Sequence, residues 1–375
     1  MSKYITSWLT PLIVVLAIVA FSQGGWYLWA PLLAELALFI LGDAILPKDH
    51  SEPALRQSLL LNLPCYVILP LLAIMNLVVL WIIGTDDPAG FGAWLQSTLH
   101  IDLFAARADS HHWAMWLGAI LSAALTNAAA GTVAGHELIH RTNSRFDLFM
   151  GRWMLAFTAD TSFAIEHVYG HHARVATLAD PATARRGESY YAFTLRSTVF
   201  SYIHAYQLEK GRLAKLSKSI WNPMNSPFMR GNLENLAFFI AAYAVAGGPG
   251  LALWIAVALI GKQFLEMTNY FEHYGLVRVP GQPVEPRHSW NSNHWMSSHV
   301  LFSLARHSHH HAAAELPYWK LRAYPNAPML PLGYLTMIVV ALVPPLFKKL
   351  MDPALKNWDE KHATAAERQL LKQSH

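Results

Sequence analysis

The chain has 375 residues, of which 54% are hydrophobic and only 14% are charged, against roughly 25% charged in a typical soluble protein. This composition excludes a disordered or collagen-like protein and one that binds nucleic acid through a charged tail, and it indicates a polytopic membrane protein. The formal net charge of +4 is modest. The single cysteine, Cys65, excludes a disulfide framework and a cysteine-ligated zinc or iron–sulfur site.

Six stretches are apolar over about the 20 residues that a helix needs to cross the hydrocarbon core of a bilayer. They cover approximately residues 5–22, 27–44, 58–84, 113–135, 231–247 and 250–271. Breaks at Gly24-Gly25 and at Gly247-Gly248-Pro249-Gly250 each separate two neighbouring stretches, which predicts two helical hairpins. A further apolar stretch at 330–347 is interrupted by prolines, and we expect it to be buried or interfacial.

The distribution of charge predicts the orientation of the chain. Segment 136–230 carries twelve Lys or Arg residues and the loop at 45–57 carries Lys48 and Arg56. The loop at 85–112, in contrast, has four Asp against one Arg. Because basic segments stay on the cytoplasmic side, six spans place both termini in the cytoplasm.

The sequence therefore predicts an all-α integral membrane protein with four regions. Residues 1–135 form transmembrane helices 1–4 as two hairpins, and residues 231–271 form transmembrane helices 5–6. Residues 136–230 and 272–375 form cytoplasmic segments. We expect the mixed-charge tail at 350–375 to be a solvated helix.

Many of the 20 histidines fall in three tight clusters. The first is His136-Glu137-Leu138-Ile139-His140, where the i, i+4 spacing puts two imidazoles on one face of a helix. The other two clusters repeat this spacing, and one further histidine ends the sixth apolar stretch. Nine histidines are thus candidate metal ligands: His136, His140, His167, His171, His172, His273, His307, His310 and His311. His309 is left out, because a helix turns it about 100° away from His310.

A metal explains why so many imidazoles gather on one side of the membrane. Protonated imidazoles repel each other and buried neutral ones need partners, whereas a metal accepts their lone pairs. Nine ligands exceed the four of a zinc site, but they suit two metals with four or five ligands each and positions open for O₂. Beside a membrane, such a cytoplasmic site indicates a non-haem diiron oxygenase. Spacing alone does not identify the metal.

Four carboxylates adjoin the proposed ligands: Glu137, Glu166, Glu272 and Asp180. A site built from neutral nitrogen donors leaves the charge of the metal uncompensated. We expect these carboxylates to offset that charge and to orient the imidazoles by accepting hydrogen bonds from them.

Two other classes of protein remain open from these residues. The H-E-x-x-H pattern of the first cluster is also that of zinc proteases, which would not depend on the other clusters. A metal transporter or sensor would need ionisable residues inside the spans. There the sequence has almost none apart from Glu35, Asp43 and Glu266.

Four motifs carry a resemblance to a known family: 136–141, 166–172 running on to 180–182, 269–276 and 304–312. Together they resemble the integral-membrane alkane 1-monooxygenase family, within the membrane fatty-acid desaturase and hydroxylase superfamily. The resemblance covers about residues 130–353. The family usually has Asp where this chain has His309 and Gln where it has Ala305. Neither departure removes one of the nine candidate ligands.

The resemblance implies a diiron enzyme of a bacterial inner membrane, with two iron ions held by the nine histidines. It implies hydroxylation of the terminal methyl group of a medium-chain n-alkane, with O₂ and two electrons. Because alkanes partition into the bilayer, we expect an apolar channel between the spans that leads to the histidines. The alternative is a related hydroxylase that acts on alkylaromatic side chains or on fatty acids.

The two electrons must come from another protein, because the sequence has no C-x-x-C pair, no G-x-G-x-x-G unit and no haem motif. The resemblance implies rubredoxin as the donor, supplied by an NADH-dependent rubredoxin reductase. Rubredoxins are acidic, so basic residues that flank the first two clusters are candidates for electrostatic docking. They are Arg141, Arg145, Arg174, Arg185 and Arg186.

Overall fold

The computed structural model describes residues 2–52, 58–324 and 326–373, and among these it has α-helices, short 3₁₀ and π-helical turns, and no β-strand. Arg56, which supported the predicted orientation, lies outside the described residues. The α-helices in chain order are α1 Ser2–Thr6, α2 Leu9–Gln23, α3 Ala30–Ile45, α4 Ser58–Ile83, α5 Phe91–Leu99, α6 Leu103–Ala108, α7 Trp113–Thr126, α8 Val133–Ile139, α9 Arg145–Ala156, α10 Phe163–Glu166, α11 His172–Arg174, α12 Tyr190–Ala214, α13 Pro227–His273, α14 Trp295–Val300, α15 His307–Ala312, α16 Tyr334–Ala341, α17 Pro344–Lys361 and α18 Ala365–Gln373.

Five helical segments of the described chain are long and apolar enough to cross a membrane: Tyr4–Gln23, Gly25–Ile45, Leu59–Ile83, Trp113–Ile139 and Pro227–His273. The first four match the first four predicted spans closely. The fifth contains both remaining predicted spans, at 231–247 and 250–271. The all-α membrane fold is therefore confirmed, whereas a count of six separate crossings stays a prediction.

Helix α13 is bent back on itself where the glycine-rich break was predicted. Ala246 and Gly247 have non-helical backbone angles, and Gly247 has φ of 60°, a left-handed conformation that favours glycine. The rings of Phe238 and Trp254 stack with centroids 5.3 Å apart. A straight helix would hold these two residues about 24 Å apart, so the two arms form a hairpin.

The stretch at 330–347 is buried in its first half, whereas Val339, Leu342 and Val343 in its second half are exposed. Met337 and Ala341 of α16 are fully buried, and this helix packs against α3 and α13. The tail, in contrast, was wrongly predicted to be solvated. Leu355 and Trp358 of α17 are buried, and the carboxylate of Glu367 on α18 is only 2% exposed. These residues follow a helical period that the surrounding charges concealed.

Helix α12 has an unusual distribution of side chains. Its outward face is apolar and exposed, with Leu195 and Phe200 as examples, whereas its inward face carries hydroxyl groups such as Ser197. An ordinary helix of a water-soluble protein has the opposite arrangement. The outer face of α12 is therefore a large exposed apolar surface, of the kind that marks a contact with a membrane or another protein.

Candidate metal centre

The first histidine pair ends the fourth long helix, which is formed by α7, a π-helical turn at Asn127–Thr132 and α8. All residues of α8 are buried. Helices α8 and α9 approach closely because both have glycine at the crossing: a Cβ on Gly135 would lie 3.0 Å from the carbonyl oxygen of Gly151. This packing fixes the direction in which His136 and His140 point.

The second cluster lies on a π-helical turn, His167–His171, between α10 and α11. A π turn bonds residue i to i+5, so it aligns residues that an α-helix would separate by about 140°. His167 and His172 are consequently neighbours, with their Nε2 atoms 3.0 Å apart. The sequence interpretation grouped His167 with His171 on one α-helical face, and the structure instead turns His171 to the other side of the site.

The nine candidate ligands converge in two adjoining groups. In the first, the five ring nitrogens all lie within 4.8 Å of one another: His136, His140, His167, His172 and His310. The second group contains the remaining four: His171, His273, His307 and His311. Neighbouring histidines of α15 thus serve different groups, because His310 faces the first and His311 the second.

The ring nitrogens fit a bound cation better than they fit each other. A neutral imidazole has one N–H and one lone pair. Nε2 of His167 nevertheless lies 2.8 Å from Nε2 of His136 and 3.0 Å from Nε2 of His172, so it cannot satisfy both. Within the described residues, the buried Nε2 atoms of His140 and His171 have no hydrogen-bond partner at all. Such converging lone pairs are what a metal ion binds.

The distances between nitrogens also favour more than four ligands for each ion. When two nitrogens each lie about 2.1 Å from an ion, the nitrogen–ion–nitrogen angle sets the distance between them. That distance is about 3.0 Å for a right angle and about 3.4 Å for a tetrahedral angle. His310 and His172 have Nε2 atoms 3.1 Å apart, and His311 and His307 have Nε2 atoms 3.0 Å apart. Right angles are typical of five- and six-coordinate ions, whereas structural zinc is tetrahedral.

Burial keeps these imidazoles in the form that binds metals. It lowers the pKa of His167, His172 and His310 well below the ordinary value, and neighbouring histidines lower each pKa further. The same causes lower the pKa of His307 and His311. At these five positions the lone pairs are therefore free of protons at neutral pH. Burial also lowers the pKa of His171, but the charge of Asp180 outweighs it and the pKa of His171 is raised.

Two of the four predicted carboxylates contact candidate ligands. Asp180 accepts a hydrogen bond from Nδ1 of His171 at 2.9 Å and another from the hydroxyl of Thr183 at 2.6 Å. Burial alone would raise the pKa of Asp180, but His171 and Thr183 outweigh it and the pKa lies below its ordinary value. Glu272 has Oε2 3.2 Å from Nε2 of His307, so it adjoins the second group directly.

The other two carboxylates bond elsewhere. Glu137 accepts hydrogen bonds from Arg141 at 2.7 Å and from the backbone N–H of Tyr318 at 3.2 Å. Glu166 lies 3.0 Å from Nδ1 of His204, an isolated histidine that residue spacing does not associate with the site. Non-local partners of this kind leave no signal in residue spacing.

Three of the five predicted docking arginines have partners within the protein: Arg141, Arg174 and Arg186. Arg145 and Arg185 are exposed. The arginine set therefore divides into residues that hold the fold together and residues whose charge faces outward.

His309 lies outside both groups. Its Nδ1 accepts a hydrogen bond from the backbone N–H of Arg322 at 2.7 Å, and its ring contacts that of Tyr324. This placement agrees with its exclusion from the nine candidates.

An apolar cavity of about 70 Å³ adjoins both groups, and we call it the apolar channel. It ends at His136 and His167 of the first group and at His307 and Glu272 of the second. Most of its length is lined by hydrocarbon side chains that include Phe39, Leu125, Phe163, Phe264, Leu301 and Ile338. A channel was expected from the sequence, but its lining could not be separated from ordinary helix packing.

Comparisons with known proteins agree with this arrangement. A family model described as fatty acid desaturase matches residues 111–341. Alkane 1-monooxygenase 1 of Alcanivorax borkumensis is 35% identical to this chain over 95% of the chain and 85% of the relative. Alkane 1-monooxygenase of Ectopseudomonas oleovorans is 34% identical over 83% and 73%. The xylene/toluene monooxygenase hydroxylase component XylM of Pseudomonas putida is 30% identical over 97% and 92%.

The matched residues include all nine converging histidines, and the relatives cover most of the chain. The chain therefore belongs to the alkane 1-monooxygenase family, within the membrane fatty-acid desaturase and hydroxylase superfamily.

Proposed function

We propose that this chain is a non-haem diiron monooxygenase that converts medium-chain n-alkanes to 1-alkanols with O₂ and two electrons. The observation that carries the proposal is the apolar channel, because it ends at histidines of both groups. The relatives named alkane 1-monooxygenase support an alkane as the substrate.

The nine histidines would hold two iron ions, five of them at the first ion and four at the second, with Glu272 beside the second. The right-angle spacing of the nitrogens supports iron over tetrahedral zinc. Bound iron would supply the activation of O₂ that attack on a strong terminal C–H bond requires.

The chain's own residues would bind and orient the alkane. The fourth long helix lines the apolar channel from Leu125 to His136, a rise of about 16 Å, which suits an alkyl chain of medium length. Hydrocarbon walls bind the alkane by removing its surface from water. They also exclude water from the reacting end.

Electrons would come from rubredoxin, which an NADH-dependent rubredoxin reductase supplies. Arg145 and Arg185 are the exposed charges available to an acidic donor. Their side of the protein would face the cytoplasm of a bacterial inner membrane, because the basic segment at 136–230 favours that side.

A second candidate reaction is hydroxylation of the methyl side chain of toluene or xylene. The match to XylM favours it, because that relative aligns with almost the whole of this chain. Fatty acids are a further substrate class within the superfamily. The relatives named alkane 1-monooxygenase favour a linear alkane over an aromatic substrate.

The test is to measure the metal content of detergent-purified protein and its conversion of octane with rubredoxin, rubredoxin reductase, NADH and O₂. We expect about two iron ions per chain and 1-octanol as the product. Iron with benzyl alcohol from toluene, and no 1-octanol, would favour the second candidate. Zinc without uptake of O₂ would contradict both.

A further inference from the structure

A second cavity lies behind His167 and differs from the apolar channel in its chemistry. It encloses about 10 Å³, space for about one water molecule, and we call it the polar cavity. Its polar walls are Asp160, Glu166, Ser201, Lys262, Glu266 and Asn269. His167 and Asn269 line both cavities, so the polar cavity adjoins the site at which the alkane would react. A cavity with such walls can hold water.

Three charged side chains of this cavity form a buried cluster. Nζ of Lys262 lies 2.6 Å from Oδ2 of Asp160 and 2.8 Å from Oε1 of Glu266. Two carboxylates against one ammonium leave a net negative charge when all three are ionised, so the cluster has capacity for one proton. Oε2 of Glu266 is buried without a hydrogen-bond partner among the described residues.

Such a cluster destabilises the fold, because the attraction between the charges only partly offsets the free energy that is lost when they are removed from water. Glu266 is only 1% exposed and lies within the segment Pro227–His273 that can cross a membrane. Apolar side chains of similar volume would often be as stable at such a position. Ionisable residues inside a membrane segment are accordingly most often functional.

Four residues on the inward face of α12 carry hydroxyl groups: Tyr190, Thr194, Ser197 and Ser201. The hydroxyls of Tyr190 and Thr194 both donate to the side-chain oxygen of Gln263, at 2.7 and 2.6 Å. Ser197 follows one turn later and its buried hydroxyl has no partner among the described residues. Ser201, one further turn along, is in the cavity wall. Among the described residues no hydrogen bond joins Ser197 to its neighbours, so these hydroxyls make the inward face of α12 polar without forming one continuous chain.

The proposed reaction consumes protons that the apolar channel cannot supply. Its balance is R–H + O₂ + 2 e⁻ + 2 H⁺ → R–OH + H₂O. One oxygen atom enters the C–H bond, and the other takes two electrons from the donor and two protons to form water. Resting on the proposed function, we propose that these protons arrive through the polar cavity and that Glu266 is the group that relays them to the reacting end.

The surroundings of Glu266 suit a relay. Lys262 contacts it from the preceding turn of the same helix. Asp160 before α10, Tyr190 of α12 and His171 interact with it electrostatically. Glu166 on α10 lines the same cavity. The carboxylate thus lies among groups that can exchange a proton with it, rather than in a purely apolar environment.

The principal variant is Glu266→Gln, which keeps the shape of the side chain but cannot carry a proton. The matched control is Glu35→Gln, because Glu35 is a second buried carboxylate of a membrane segment and accepts a hydrogen bond from Thr126, away from the polar cavity. We expect Glu266→Gln to retain its iron, lose about tenfold or more in kcat, and show a larger solvent deuterium isotope effect. More of the O₂ consumed should appear as hydrogen peroxide. The control should keep the wild-type values.

Two further measurements separate a relay from a structural role. Glu266→Asp keeps an acid and should recover most of the coupling of O₂ consumption to product, whereas a packing role would make Asp no better than Gln. Infrared titration of the metal-free protein should show a carboxyl band that Glu266→Gln removes and Glu35→Gln retains. This titration needs no substrate, so it tests Glu266 independently of alkane oxidation. If the wild type failed to oxidise alkanes, that result would contradict only the proposed function. Normal coupling and a normal isotope effect in Glu266→Gln would overturn the relay.

Discussion

Asp180 receives a hydrogen bond from Nδ1 of His171 across 2.9 Å, and both side chains are fully buried. The bond leaves Nε2 of His171 pointing toward the second group of histidines, with no other partner among the described residues. A carboxylate in this position fixes both the tautomer and the direction of a ligating imidazole. Asp180 is therefore a positioning residue for the proposed metal site.

Replacing Asp180 by Asn should weaken retention of the metal. The amide keeps the size of the side chain but removes the negative charge that holds the His171 ring, and loss of such a partner typically costs 10- to 100-fold in metal affinity. Iron content after dialysis against a graded series of chelator concentrations measures the effect. Thr183→Val is the graded control, because it removes one hydrogen bond to Asp180 and keeps the carboxylate. Equal iron retention in Asp180→Asn and the wild type would refute the positioning role.

The apolar channel should set the length of alkane that is accepted. Ala128 lines it two turns before His136, about 12 Å away along the helix. Ala128→Phe should shorten the longest alkane hydroxylated, while shorter alkanes remain substrates. Leu117→Phe, on the exposed side of α7, is the matched control and should leave the chain-length profile unchanged. An unchanged profile in both variants would mean that the alkane does not occupy this channel.

Charge reversal should distinguish docking arginines from structural ones. Arg185 is exposed, whereas Arg186 pairs with Asp359 and bonds to the carbonyl of Gly275. Arg185→Glu should slow the rubredoxin-supported rate most strongly at low salt and flatten its dependence on ionic strength. Arg186→Glu should instead lower thermal stability. If Arg185→Glu left the rate and its salt dependence as in the wild type, this residue would have no part in docking.

The buried carboxylate of Glu367 should make the anchoring of the tail dependent on pH. Burial alone would raise its pKa, but the N–H of Thr364 and the imidazole of His288 hold the pKa below the ordinary value of 4.5. The lowered pKa contributes stability that is present above pH 4.5 and is lost as the pH falls through the folded value. At pH 7, Glu367→Gln should cost about 1–3 kcal/mol in the metal-free protein. The difference in melting temperature between Glu367→Gln and the wild type should narrow below pH 4. A difference that stayed constant with pH would contradict the lowered pKa of Glu367.

Hydropathy and glycine placement were sufficient to predict the membrane helices and the reversal at Gly247, because both depend on local composition. The tail was not predictable in this way. Leu355 and Trp358 lie on one face of α17, but the charged residues between them hide that face in a simple reading of composition.

The same limit applies to the site. Spacing identified nine histidines, since clustered imidazoles are chemically informative wherever the helices lie. It could not divide them into two groups, because the π turn that brings His172 beside His167 depends on tertiary packing. Nor could it place Asp160 against Lys262, which are far apart in sequence and meet only when α13 packs beside α9.

The most direct test of the two-group metal centre is iron content in paired variants that remove one histidine from each group. His310→Ala removes a nitrogen of the first group and His311→Ala removes one of the second, although the residues are adjacent on α15. We expect about two iron ions per chain in the wild type and in His309→Ala, and about one in each of the paired variants. A single ion in the wild type, lost completely from both variants, would contradict the two-group metal centre.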